Sequence, residues 1–266
     1  MEEVLIVLTL FKNSIIISLL LCTNVYANQI YISQAGTDND NTTVQVSQDG
    51  EDNEVRLSIG GSGNELNIFQ YGKDAYVGFT STWGSGFGWG GDLDGNDNTL
   101  DVIQLCNQST CLGDRFEFHI QGSDNDVAFA QGYNATTTGV LTSDDLESGG
   151  HFVRLDIHGN DNKVIGSQRA SGDRHSNITY IYGNDNDVYT KQEYNSNKSI
   201  NLTINNNDND VDIIQSGNAS HSATIGISGS YGTDLDLLQY SSTAQTYSLT
   251  QNCQTAAGCS VSVTQE

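Results

Sequence analysis

Hydrophobic and polar residues alternate in short runs along most of this chain, and one phrase of such positions returns many times. Residues 181–192 read IYGNDNDVYTKQ, and similar twelve-residue phrases span residues 120–131, 157–168 and 204–215. Copies that start at residues 157, 181, 204 and 227 set a period of 23 or 24 residues. Alternation predicts strands with one buried face, and a fixed period of this size is typical of solenoids. We therefore predict an all-β β-solenoid of about nine two-strand rungs, each built as strand, arc, strand and arc.

In most copies an asparagine opens the second strand and a glutamine closes it. Both have the same parity as the Val and Ile residues between them, so both are expected to point inside. A buried amide without a partner costs about 1–3 kcal/mol. Amides stacked about 4.8 Å apart can instead bond to their copies above and below. We predict two interior ladders, formed by Gln70, Gln104, Gln131, Gln168, Gln192, Gln215 and Gln239 and by Asn98, Asn125, Asn162, Asn186 and Asn209.

The arc between the two strands carries a glycine in most copies, Gly122 and Gly183 among them, where it permits positive φ or close backbone approach. Asn206 replaces this glycine once, and asparagine is the next best residue for that conformation.

Two residues after the glycine an aspartate recurs, and stacked carboxylates repel unless cations relieve the repulsion. Calcium accepts such oxygen ligands, although the nine-residue period of calcium-binding β-rolls is absent. The alternative is a solvated acidic edge that limits sideways aggregation. The candidate calcium ligands are Asp97, Asp124, Asp161, Asp185 and Asp208.

Composition agrees with a thin solenoid. The 266 residues include no proline, so every backbone N–H can donate to a strand ladder. Only 36% of the residues are hydrophobic, which suits a narrow core assisted by stacked amides. The formal charge of −23 excludes nucleic acid as a natural partner, because phosphate binding needs clustered Lys and Arg.

The N-terminus predicts export. Residues 1–27 have an apolar stretch followed by small residues before Asn28, as in a signal peptide. The solenoid would then occupy residues 28–266, with loop insertions near 71–92, 105–115 and 132–150. No later apolar run is long enough for a transmembrane span in the mature chain.

Besides Cys22 in the predicted signal peptide, the chain has four cysteines. They form two close pairs at rung corners, Cys106 with Cys111 and Cys253 with Cys259. Local disulfides in an oxidising compartment are expected, although four cysteines allow three pairings. Their spacings of five and six do not match zinc sites.

The phrase Gln-x-Gly-x-x-Asn-x-hydrophobic-x-hydrophobic-x-Gln resembles the curlin repeat of bacterial curli fibre subunits. Residues 34–39 (QAGTDN) and 48–53 (QDGEDN) match its first half best, and the closing residues 261–265 (VSVTQ) are similar to the way curlin chains end, the nucleating subunit among them. The resemblance implies a cross-β fibre subunit at the bacterial cell surface, exported through the periplasm and a dedicated outer-membrane pore. Most copies carry Ile or Leu in place of the first Gln, and long insertions separate several rungs. A minor or nucleating role therefore stays open beside the major one.

Three functional hypotheses follow. The first is a secreted, curli-like amyloid fibre subunit for adhesion and biofilm, which associates with itself or with other curlin subunits. The second is a monomeric acidic solenoid adhesin, stabilised by calcium. The third is a β-helix polysaccharide lyase or hydrolase. The chain shows no nucleophile elbow, phosphate loop or HExxH motif, and its five histidines are scattered without a ligand motif. We therefore expect no enzymatic activity and no cofactor.

Overall fold

The structure, a computed structural model, is a parallel β-solenoid, which confirms the fold class predicted from the repeat. It describes residues 6–9, 29–35, 42–48, 53–70, 76–77, 91–104, 114–131, 134–135, 141–142, 150–170 and 173–266. Within these ranges every regular element is a β-strand, and the strands are numbered β1 to β22 in chain order. No helix in this part of the chain is long and apolar enough to cross a membrane.

The first sheet has 11 strands, and every neighbouring pair in it is parallel. It contains β1 (Ile6–Thr9), β2 (Gln29–Ala35), β4 (Glu54–Gly60), β6 (Tyr76–Val77), β7 (Gly91–Asp94), β9 (Arg115–Gln121), β13 (Phe152–His158), β15 (His175–Tyr182), β17 (Lys198–Ile204), β19 (His221–Gly229) and β21 (Gln245–Cys253). Both β6 and β7 pair with β4 on one side and β9 on the other, so together they fill one tier.

The second sheet has nine parallel strands, one for each predicted rung. It contains β3 (Thr43–Ser47), β5 (Glu65–Phe69), β8 (Thr99–Gln104), β10 (Asp126–Gln131), β14 (Lys163–Arg169), β16 (Asp187–Glu193), β18 (Asp210–Ser216), β20 (Thr233–Tyr240) and β22 (Cys259–Gln265). A separate antiparallel pair joins β11 (Asn134–Ala135) to β12 (Leu141–Thr142) within the predicted third insertion.

Parts of the predicted insertions belong to the sheets. Gly91 and Asp92 lie in β7, and Arg115 begins β9. Residues 71–75, 78–90, 105–113, 132–133, 136–140 and 143–149 lie outside the described part of the chain. Of the predicted signal peptide only β1 is described, as the edge strand beside β2, so cleavage after residue 27 stays a prediction.

One rung shows how alternation builds the core. Phe116, Phe118 and Ile120 of β9 are fully buried, and the chain turns through an arc into β10, where Val127 and Phe129 face them from the second sheet. The same parity holds in each rung, so a single apolar core runs the length of the solenoid. Because each Val, Ile, Leu or Phe contributes about 1.5–3 kcal/mol when fully buried, this continuous core is the main source of stability.

The arc depends on both a glycine and an aspartate. A Cβ on Gly122 would lie 1.9 Å from the carbonyl oxygen of Gly159 in the next rung, so only glycine fits. The prediction of a left-handed backbone at Asn206 is wrong. The residue with positive φ in that arc is Asp208. Gly183 likewise has no positive φ, and it is required by a close approach to the Asn206 carbonyl.

Candidate functional site

Glutamine side chains at the ends of the second-sheet strands form one buried file. Nε2 of Gln168 donates to Oε1 of Gln192 at 2.7 Å, and Nε2 of Gln192 donates to Oε1 of Gln215 at 3.1 Å. Nε2 of Gln192 also donates to the carbonyl oxygen of Ser176 at 3.1 Å, which ties the file to the first sheet. All the glutamines assigned to this ladder by sequence are at most 1% exposed: Gln70, Gln104, Gln131, Gln168, Gln192, Gln215 and Gln239.

The direction of the glutamine ladder changes along the solenoid. Nε2 of Gln104 donates toward the N-terminus, to Oε1 of Gln70 at 2.6 Å. From Gln131 onward the donors point toward the C-terminus, and the series ends where Gln239 donates to Oε1 of Gln265 at 2.7 Å. Gln265 thus joins the ladder as an acceptor through Oε1, and no further glutamine of the ladder follows it in the described chain.

Asparagine side chains form a second ladder at the arc. Nδ2 of Asn186 donates to Oδ1 of Asn162 at 2.9 Å, and the backbone N–H of Asn186 donates to the same oxygen at 3.2 Å. The series ends at Thr233, whose backbone N–H donates to Oδ1 of Asn209 at 2.8 Å. The sequence-assigned asparagines are all in this file, each at most 2% exposed: Asn98, Asn125, Asn162, Asn186 and Asn209.

The arc aspartates have a backbone role that the sequence analysis missed. All five have positive φ, between 54° and 59°, a conformation that Asn and Asp tolerate better than most residues. Their side chains are exposed: Asp97, Asp124, Asp161, Asp185 and Asp208. Among the described residues, the group of three potential ligands whose atoms all lie within 4.8 Å of one another is a different one, on the first sheet. The left-handed backbone thus gives a structural reason for the recurring aspartate, and calcium binding by these carboxylates stays a prediction.

Cys253 and Cys259 form a disulfide that closes the corner between β21 and β22, with their Cα atoms 5.8 Å apart. The other predicted pair, Cys106 with Cys111, lies outside the described residues.

A buried column of basic residues follows the second arc, where each rung returns to the first sheet. His151, His175, Lys198 and His221 occupy equivalent positions in successive rungs and are at most 2% exposed. The imidazoles of His151 and His175 are stacked, with ring centroids 4.9 Å apart. The histidines are therefore not scattered. Their spacing of 23 or 24 residues, the period of the repeat, was the sequence signal that could have revealed them.

Burial keeps the imidazoles of His151 and His175 neutral by lowering their pKa, and their Nδ1 atoms accept hydrogen bonds. Nδ1 of His175 accepts the backbone N–H of Lys198 at 3.3 Å, and Nδ1 of His151 accepts that of His175 at 3.1 Å. Burial, with a smaller contribution from Lys198, lowers the pKa of His175 to about 4. Burial also lowers the pKa of Lys198 to about 8, and its ammonium donates to four backbone carbonyls, including that of Gly217 at 2.9 Å.

The outer face of the first sheet carries a dense charged cluster that alternation alone did not indicate. Glu117 is 1% exposed and is held between Arg115 and Arg154, whose Nη2 lies 2.6 Å from its Oε2. Along the same strands, His119 and His158 both contact the carboxylate of Asp156, which is 2% exposed. Asp156 and His158 are two residues apart on β13, and the register of β9 on β13 brings His119 beside Asp156. Alignment of the repeat phrases at residues 120–131 and 157–168 was the sequence signal that could have shown this contact.

The last rung of the described chain, formed by β21 and β22, has one face without a neighbouring rung, and we call this face the open end. In β21 and β22 the positions that continue the core, Tyr247, Leu249, Val261 and Val263, are only partly buried, although they pack against the core cluster. Both strands are the last in their sheets, so one edge of each has no neighbour within the described chain. Unpaired strand edges of this kind are templates for pairing with another chain.

Together, the fold and its ladders define a parallel β-solenoid stabilised by interior files of amides. No protein-family model, curated protein or solved structure matches this chain.

Proposed function

We propose that this protein is a secreted, curli-like fibre subunit, in which copies stack end to end through the open ends of their solenoids. The observation that carries the proposal is the incomplete burial of β21 and β22. A further rung placed on this end would cover four apolar side chains and pair two strand edges. It would also offer Nε2 of Gln265 an acceptor of the kind that Gln265 itself provides to Gln239.

The free energy available at this end is of the same size as the cost of association. Full burial is worth about 1.5–3 kcal/mol for each apolar side chain, and each backbone hydrogen bond adds about 0.5–1.5 kcal/mol net. Two strands of nine and seven residues provide many such bonds. Their sum is comparable to the roughly 4–15 kcal/mol lost as translational and rotational freedom on association.

Charge opposes the alternative of side-by-side packing. On the outer face of the second sheet, Asp187, Asp210 and Asp234 are in register on neighbouring strands, and so are Asp212 and Asp236. Burial raises the pKa of Asp210 and of Asp212, and neighbouring carboxylates raise it further. Because like charges at this spacing repel both within and between molecules, growth along the solenoid axis is favoured over lateral association.

The last part of the proposal is the export of the protein from the cytoplasm. The predicted leader, together with the Cys253–Cys259 disulfide, suits an oxidising compartment outside the cytoplasm. From the curlin resemblance we propose passage through a curli-type outer-membrane pore, and adhesion and biofilm formation at the cell surface. The shared export route also makes other curlin subunits candidate partners, with this chain as a minor or nucleating subunit.

The decisive experiment compares two lysine substitutions on the same strand. Val263→Lys places a charge on the inward face of the terminal rung, whereas Ser262→Lys places it on the exposed outer face. Mature protein is incubated at high concentration and followed by thioflavin fluorescence and electron microscopy. We expect fibres from the unmodified chain and from Ser262→Lys, and none from Val263→Lys.

Two outcomes contradict the proposal. If the unmodified chain stays monomeric for days, it is a monomeric solenoid, as in the adhesin hypothesis. If Val263→Lys forms fibres as fast as Ser262→Lys, the open rung is not the joining surface.

A further inference from the structure

Three potential metal ligands converge on the outer face of the first sheet. Nδ1 of His119 lies 3.1 Å from Oδ1 of Asp156, and Nε2 of His158 lies 3.0 Å from the same oxygen. The three ligand atoms all lie within 4.8 Å of one another. His119 belongs to β9, and the other two belong to the neighbouring β13, so the cluster sits on paired strands. Sites on such elements hold their geometry better than sites on loops.

The outer atoms of His158 and Asp156 have hydrogen-bond partners, and the outer nitrogen of His119 lies near a carboxylate. Nδ1 of His158 lies 2.9 Å from Oε1 of Gln121, and the hydroxyl of Tyr182 donates to Oδ2 of Asp156 at 3.0 Å. Oδ2 of Asp92 lies 3.9 Å from Nε2 of His119. In metal sites the second nitrogen of a ligating histidine commonly donates to a carboxylate or carbonyl oxygen, which fixes its tautomer.

This arrangement favours a cation at the centre. When His158 donates its Nδ1–H to Gln121, its Nε2 presents a lone pair to the Asp156 carboxylate. Asp156 also presents a lone pair, so two acceptor atoms face each other 3.0 Å apart. A positive ion between them removes the repulsion.

We propose that His119, Asp156 and His158 bind a divalent first-row metal ion, with Zn²⁺ as the best fit. Two imidazole nitrogens and one carboxylate oxygen are ligands that Zn²⁺ takes, at about 2.0–2.2 Å. Calcium and magnesium prefer sites made of oxygen alone. The imidazoles are 26% and 33% exposed, which leaves a fourth position on the solvent side. The inference does not depend on fibre formation.

Zinc titration of the full chain, freed of any tag, tests the proposal. Isothermal calorimetry is expected to give one equivalent of Zn²⁺, and Co²⁺ is expected to give the visible absorption of a bound, low-symmetry ion. His119→Gln and His158→Gln each remove one ligand from a partly exposed position, and we expect each to weaken binding at least tenfold. Gln121→Ala removes only the orienting contact, and it is expected to weaken binding about 10–100-fold.

Asp94→Asn is the matched control, because Asp94 is exposed on β7 and aligned with Gln121 but lies outside the cluster. It is expected to leave zinc affinity unchanged, and excess Ca²⁺ should not displace the zinc. The proposal is overturned if His119→Gln and His158→Gln, shown folded by circular dichroism, bind as tightly as the unmodified chain. If Asp210→Asn loses zinc binding instead, the ion binds on the acidic second sheet and the proposal is wrong. If the unmodified chain binds no zinc, the three residues form a hydrogen-bonded cluster and not a metal site.

Discussion

Replacing Gln192 by leucine tests whether the interior amides stabilise the solenoid. Gln192 is fully buried in β16, in the middle of the glutamine ladder. Its Oε1 accepts from Gln168 at 2.7 Å, and its Nε2 donates to Gln215 and to the Ser176 carbonyl, both at 3.1 Å. Leucine has a similar volume, so the substitution removes hydrogen bonds without opening a large cavity.

The expected magnitude follows from the groups left behind. The substitution deprives Oε1 of Gln215 of the Gln192 donor, and it deprives one N–H of Gln168 of its acceptor. A buried polar group without a partner costs about 1–3 kcal/mol, so we expect the free energy of unfolding to fall by about 3 kcal/mol. Gln265→Leu is the matched control, because Gln265 is half-exposed and has one such bond, from Gln239. Its cost should be about 1 kcal/mol or less.

Urea unfolding of the mature chain, followed by circular dichroism and tyrosine fluorescence, measures both variants. Coincident transitions from the two probes are needed before midpoints are converted to free energies. The double variant Gln192→Leu with Gln215→Leu should cost less than the sum of the single variants, because it removes facing partners together. If Gln192→Leu costs no more than Gln265→Leu, the amides contribute little, and apolar packing alone holds the rungs.

Three further predictions concern other parts of the solenoid. Because burial lowers the pKa of His175 from 6.5 to about 4, the unfolded chain binds more protons between those values. Stability should therefore fall by about 3 kcal/mol as the pH drops from 6.5 to 4, and His175→Gln should flatten that slope in urea titrations. At Asp161, with φ of 55°, Asp161→Asn should leave the melting temperature nearly unchanged, whereas Asp161→Val should cost about 1–2 kcal/mol. Reduction of Cys253–Cys259, which are six residues apart, should remove about 2 kcal/mol. Hydrogen exchange should then rise in β21 and β22 and stay unchanged in β14.

The repeat predicted the fold because period and parity are properties of the sequence. Once the period was known, the inward side of Gln192 and Asn186 followed from their distance to the neighbouring valine, and the structure places both inside. The role of Asp161 did not follow, because a left-handed backbone and a metal ligand both favour aspartate. The basic residues equivalent to His175 do recur at the repeat period, but a search for ligand motifs does not detect a recurrence of this kind.

The sequence analysis did not predict the metal cluster, because it considered only the inward positions and the arc of each rung. His119 and Asp156 are 37 residues apart, and residues 132–150 interrupt the period between them. Their contact depends on the register of β9 against β13, which pairs these two residues directly. The repeat phrases at residues 120–131 and 157–168 set the same register. The phrase, however, describes the inward positions and the arc, and it assigns no role to the outward residues that form the cluster.

The two proposals use different surfaces, and this makes them separable. Fibre growth would bury the ends of the solenoid between stacked copies, whereas the metal cluster lies on an outer face that stacking leaves exposed to solvent. With nine strands in the second sheet and about 4.8 Å between strands, end-to-end stacking would display the cluster about every 43 Å along the fibre. We therefore expect His119→Gln to lose zinc affinity and retain fibres, and Val263→Lys to lose fibres and retain zinc affinity. Thioflavin growth curves and zinc calorimetry on both variants measure this. Loss of both properties in either variant would mean that the face and the end are coupled through the rungs between them.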